Sequence, residues 1–149
     1  MPVRVAYLRY TGPFGEPVGR FWRTSVSEWL ADNGLLDCPR YGVSLDDPRT
    51  TPAERCRYDA CVALPNGLAV PGAAETTVAG GCYAVTPFKG TSADIGAAWG
   101  EFAAQCAALS LPFDASRPAF EHYPRGASFE LKTGLFACEL CTPLTGDSS

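Results

Sequence analysis

Two stretches of this chain carry the same succession of elements, and that repeat limits the available folds more than any other feature. Residues 3–10 are aromatic and β-branched and stop at Thr11-Gly12-Pro13, which predicts a strand and a turn. Pro17 suits a first helical turn. Val18, Phe21, Trp22, Ser25, Trp29 and Leu30 then recur at the three-to-four spacing of one helix face, up to a C-cap at Asn33-Gly34. Residues 41–45 and 56–64 read as two further strands, separated by the polar turn from Asp46 to Pro52 and closed by Pro65-Asn66-Gly67. The second half follows the same order. A strand over 81–88 leads to Ser92 as a candidate N-cap, a helix with the apolar stripe Ile95, Trp99, Phe102, Cys106 and Leu109, and strands over 119–123 and 136–142.

A shift of about 77 positions lays Trp22 on Trp99, Val43 on Phe120 and Ser44 on Glu121. Element order agrees better than residue identity, as expected of an old internal duplication. The reading is one domain over 1–149, with repeat 1 at about 1–66, repeat 2 at about 78–144, and the Gly/Ala/Pro-rich stretch 65–79 as the linker.

Composition narrows the function classes. A hydrophobic share of 46% against 19% charged residues supports a packed core and excludes a disordered tail. The net charge of -4 offers no basic face for phosphates, so direct nucleic-acid binding is not expected. No apolar run reaches the roughly 18 residues of a membrane span, and a signal peptide is not expected. Seven cysteines, an odd number, read as reduced thiols of a cytoplasmic protein. Cys138 and Cys141 are the one close pair, and with a single histidine a closed zinc site would have to recruit distant cysteines. Alternation along a strand puts the two on opposite faces, and neither a metal nor a cofactor is expected.

Three runs in the first half, Gly42-Val43-Ser44-Leu45-Asp46-Asp47-Pro48, Thr51-Pro52-Ala53-Glu54 and Arg57-Tyr58-Asp59-Ala60-Cys61-Val62-Ala63-Leu64-Pro65, resemble the GyrI-like family. That family comprises the DNA gyrase inhibitory protein and the small-molecule-binding domains of AraC-type and MerR-type regulators. Gly80-Gly81-Cys82-Tyr83-Ala84-Val85, Trp99 and Phe120-Glu121-His122-Tyr123 agree in the second half. The resemblance implies an α+β fold of duplicated β-α-β-β units with pseudo-twofold symmetry, an antiparallel sheet, two helices and a central ligand cleft. It also implies that Glu121 projects into an aromatic-lined cavity that meets hydrophobic, often cationic compounds. Many members have a tyrosine where this chain has Ser44, so that wall is expected to be roomier or more polar. No helix-turn-helix is expected before a strand that begins at residue 3, and the chain reads as a stand-alone member.

By alternation Glu121 and Tyr123 share one strand face, and Phe120 and His122 the other. A carboxylate in an apolar cavity is tolerated when a cation or hydrogen-bond donors compensate it. Tyr123 is placed to donate to Glu121 or to a ligand. Trp22 and Trp99 hold equivalent helix positions, where an indole serves either as core or as a stacking wall. Tyr83 and Tyr7, on the first strand of each repeat, complete the candidates. His122 has no spacing that pairs it with a nucleophile, and no phosphate-cradling glycine pattern occurs.

Three functions follow from the resemblance. The favoured one is a binding module for a hydrophobic small molecule, in drug sequestration, ligand sensing or gyrase protection, with Glu121, Tyr123, Trp99, Trp22, Ser44 and Tyr83 as ligand-binding residues. The second is a hydrolase of cyclopropane-containing compounds, in which Glu121 and Tyr123 are catalytic. The third is a protein inhibitor of DNA gyrase, which needs no pocket. A monomer or homodimer is expected.

Overall fold

The computed structural model describes residues 2–125 and 133–145. Seven strands, β1 (Val3–Thr11), β2 (Arg40–Ser44), β3 (Arg57–Ala63), β4 (Ala74–Val78), β5 (Tyr83–Gly90), β6 (Phe120–Tyr123) and β7 (Phe136–Pro143), form one antiparallel sheet in the order β4-β1-β3-β2-β6-β7-β5. Outward from the centre the order is β2-β3-β1 on one side and β6-β7-β5 on the other, with β4 added at one edge. The same topology is therefore used twice, and the α+β architecture expected from the sequence is present.

The first helix is α1 (Glu16–Phe21), a π-helical turn (Trp22–Val26) and α2 (Ser27–Asp32) in continuity. Ser27 Oγ donates to the Trp22 carbonyl at 2.7 Å and so meets an acceptor inside the widened turn. The extra residue shifts the helical phase. Val26, 1% exposed, reaches the core, and Ser25, expected on the buried stripe, faces solvent. Gly34 ends the helix at φ 69°, with Leu35 N–H donating to Leu30 O and Gly34 N–H to Ala31 O, the paired bonds of a Schellman cap.

Three expectations need correction. The stretch read as a linker contains β4, which pairs with β1 from Val3↔Val78 to Tyr7↔Ala74. Its first four side chains are exposed, so backbone pairing holds it without the apolar alternation that would have announced a strand. Ser92 does not cap α3 (Ile95–Ala108). Asp94 occupies that position and its carboxylate accepts from Thr91 N–H and Oγ1, whereas Ser92 Oγ donates to Glu16 Oε2 at 3.0 Å. Leu109, expected on the apolar stripe, is at the helix end and 71% exposed.

The helices cover the flanks of one sheet face. Val26, Leu30, Leu35, Ala6, Tyr58, Ala60 and Val62 pack under the first helix, and Phe102, Cys106, Cys138 and Leu140 under α3. The opposite face buries Val5, Val43, Cys61, Val78, Phe120 and Cys141. Asp59 is buried on that face and held by a two-pronged ion pair from Arg9 (2.8 and 3.0 Å), while Arg57 pairs with Asp46. All seven cysteines are unpaired thiols, and Cys138 and Cys141 do fall on opposite faces. No helix among the described residues is long and apolar enough to cross a membrane.

Candidate functional site

Between the two helices the centre of the sheet is left uncovered, and a cavity of about 610 Å³ opens above β2 and β6. Its walls are aromatic. Phe14 and Trp22 come from the first half, Trp99 from α3, and Phe136 from β7, and the floor carries Tyr58, Glu121 and Tyr123. Alternation along β6 aims Glu121 and Tyr123 into the cavity and sends Phe120 and His122 to the other face, as the sequence predicts.

Glu121 is 6% exposed, and its Oε1 accepts two tyrosine hydroxyls, from Tyr123 at 2.7 Å and from Tyr58 at 2.8 Å. Trp22 Nε1 in turn donates to Tyr58 Oη at 2.9 Å, so an indole, a phenol and a carboxylate form one chain of hydrogen bonds. Burial raises the Glu121 pKa above its ordinary value, while the hydroxyls of Tyr123 and Tyr58 and the side chain of Trp99 pull it back. Both phenols are held well above their usual pKa, first by burial and then by the Glu121 charge, so they remain donors.

Gly42 makes this contact possible. It lies directly opposite Glu121 in the β2–β6 ladder. A Cβ there would stand 2.6 Å from Glu121 Oε1 and 2.7 Å from Tyr58 Cζ, and closer still to the Tyr58 hydroxyl. At the rim, Glu16 ties the first helix to the segment before α3 by accepting from Arg23 (2.6 Å) and Ser92 (3.0 Å).

Of the residues singled out from sequence, Glu121, Tyr123, Trp22, Trp99 and Ser44 line the cavity. Tyr83 does not. It lies on the opposite sheet face, where its ring meets Phe120 (centroids 5.1 Å apart) and Arg117 (4.8 Å), and its hydroxyl donates to Ala79 O. There it borders a smaller cavity of about 210 Å³ together with Tyr7. The parity of β5 sets that direction, and the helices cover the other face. His122 stacks on Tyr41 (4.9 Å) and donates from Nδ1 to Glu139 Oε1 at 2.8 Å, away from Glu121. Sequence reasoning missed Tyr58, Gly42, Arg40, Phe14 and Phe136. A glycine inside a strand signals close approach of other groups, and Gly42 carried that signal.

A model of the GyrI-like small molecule binding domain matches residues 1–145. The "SPbeta prophage-derived putative transcriptional regulator YosT" of Bacillus subtilis (strain 168) is 31% identical over 123 residues, covering 81% of this chain and 82% of that protein. A DNA gyrase inhibitor of Escherichia fergusonii is 26% identical over 144 residues, covering 94% and 90%. Among solved structures, SAV2435 bound to tetraphenylphosphonium superposes with a TM-score of 0.69 at 17% identity, over 97% of this chain and 90% of that one, a likeness of fold. With this architecture and a match that runs over nearly its whole length, the chain belongs to the GyrI-like small molecule binding domain family.

Proposed function

We propose that this protein captures hydrophobic small molecules, lipophilic cations among them, in the aromatic cavity above Glu121, and acts in the cytoplasm by sequestering or sensing them. The observation that carries the reading is a buried carboxylate in a largely apolar cavity, whose hydrogen-bond partners among the described residues are neutral donors. Neutral donors leave the ionised carboxylate without an ion-pair partner, and a bound cation supplies one. The indole faces of Trp22 and Trp99 add cation–π attraction, and the volume lies within the roughly 300–1,000 Å³ of drug-sized sites. A protein of the same fold, SAV2435, is itself described with tetraphenylphosphonium bound.

Calorimetry with tetraphenylphosphonium and with neutral triphenylphosphine oxide tests this. Wild type is expected to bind the cation more tightly, and Glu121→Gln to lose at least tenfold of that affinity with the oxide unaffected. Equal binding of the cation by both proteins sinks the reading. The raised Glu121 pKa and the 2.7 Å Tyr123 contact also support a hydrolase reading, with Glu121 as general base toward water and Tyr123 as proton donor. Consumption of a cyclopropane-containing electrophile at the same rate with wild type and Glu121→Gln eliminates it. The gyrase inhibitor relatives suggest a third reading, which fails if molar excess of protein leaves supercoiling unchanged.

A further inference from the structure

The cavity floor displays a second charge that the proposed function does not use. Arg40 on β2 lies opposite Tyr123 on β6, one step along from the Gly42–Glu121 pair on the same sheet face. Arg40 and Glu121 are thus diagonal cross-strand neighbours, a relation that ordinarily sets Cα atoms about 7–8 Å apart. Long side chains so placed are within reach of one another, yet these two form no ion pair among the described residues. Glu121 Oε1 is held by Tyr58 and Tyr123, and among the described residues Arg40 makes no ion pair and its buried Nε has no hydrogen-bond partner. Arg23, the other arginine on the cavity wall, is balanced by Glu16 at 2.6 Å.

A partly buried guanidinium with no acceptor among the described residues carries a desolvation cost, and an acceptor that meets its cavity-facing end offsets part of it. Burial lowers the Arg40 pKa, yet arginine stays charged at neutral pH. We infer that the preferred ligand is amphoteric, an aromatic compound whose cationic centre faces Glu121 and whose carboxylate, a few ångströms away, docks on Arg40. The inference rests on the proposed binding function and narrows it: a simple lipophilic cation fills only part of the site. Carboxylates match the guanidinium fork, and the charge-assisted bond is about twice as strong as a neutral one.

The test compares (3-carboxypropyl)triphenylphosphonium with n-butyltriphenylphosphonium, which share cation, rings and chain length and differ in the carboxylate. At pH 7.5 wild type is expected to bind the carboxylate compound about tenfold more tightly. Arg40→Met, which keeps an unbranched apolar stem but is shorter and has no donors, is expected to erase that preference, and with a positive charge gone from the cavity floor the butyl compound is expected to bind at least as tightly as to wild type. Arg40→Lys, with the charge but not the fork, is expected to restore part of it, and unliganded melting temperatures check that each variant is folded. If wild type binds both compounds equally, or Arg40→Met keeps the preference, this inference falls while the cation reading stands. If neither compound binds, the cation reading falls and takes this one with it.

Discussion

Tyr58 Oη donates to Glu121 Oε1 at 2.8 Å, across 63 residues of sequence and from a strand that is not the glutamate's neighbour. Strand β2 lies between them, and the phenol reaches over it because position 42 has no side chain. Removing the hydroxyl breaks two links at once, since Trp22 Nε1 donates to the same oxygen. Tyr58→Phe is expected to weaken cation binding about tenfold. It should also lower stability by about 1–3 kcal/mol, the usual cost of a buried polar group left without its partner. Calorimetry and urea denaturation of the variant measure the two effects separately.

The chain's dependence on pH has a definite sign. Burial raises the Glu121 pKa, so over the range between its ordinary and its raised value the folded state binds a proton that the unfolded state does not. The contribution of this group to stability is therefore greatest below about 4.5 and is lost as pH rises through the folded pKa. Cation affinity runs the other way and increases over that range as the carboxylate ionises. Glu121→Gln is expected to flatten both profiles. Calorimetry in buffers of different ionisation enthalpy should show proton release when a cation binds wild type in this range and none with the variant.

Gly42→Ala is expected to damage the site more than any other one-carbon change in the cavity. The new methyl would meet Glu121 Oε1 at 2.6 Å and the Tyr58 ring at 2.7 Å, and the strand pairing on both sides of β2 prevents the backbone from withdrawing. The expected loss is about 1–3 kcal/mol of stability, the range for overpacked cores, together with cation binding. Thermal melts and titrations of the same preparation check this, and wild-type behaviour in both would contradict it.

Thiol chemistry offers a probe of the fold itself. Cys56, Cys61, Cys106, Cys138 and Cys141 are buried, and Cys38 and Cys82 are half-exposed. Burial pushes the Cys61 and Cys141 thiols up to about 12 and raises Cys138 as well, which leaves almost no reactive thiolate at neutral pH. A disulfide reagent at pH 7.5 is expected to titrate two thiols quickly in the native protein and seven after denaturation.

Where local rules act alone, the sequence was legible. Period-two alternation along residues 120–123 placed Glu121 and Tyr123 together, and the three-to-four spacing from Val18 to Leu30 located the first helix. Where a neighbour decides, it was not. Strand β4 exists because β1 presents an open edge, and the π-helical turn put Val26 in the core in place of Ser25.

The repeat and the grouping of Glu121 with Tyr123 on one strand face were determined by the order and polarity of residues along the chain, and a cavity over that face was what the family resemblance implied. Only the tertiary structure decided that Tyr58 reaches Glu121 over Gly42, that Arg40 Nε beside them has no hydrogen-bond partner among the described residues, and that Tyr83 looks the other way. The reason is physical. Alternation sorts side chains into two sheet faces, but which face becomes the cavity depends on where the helices pack, and contacts 63 residues apart depend on strand order that no local pattern encodes.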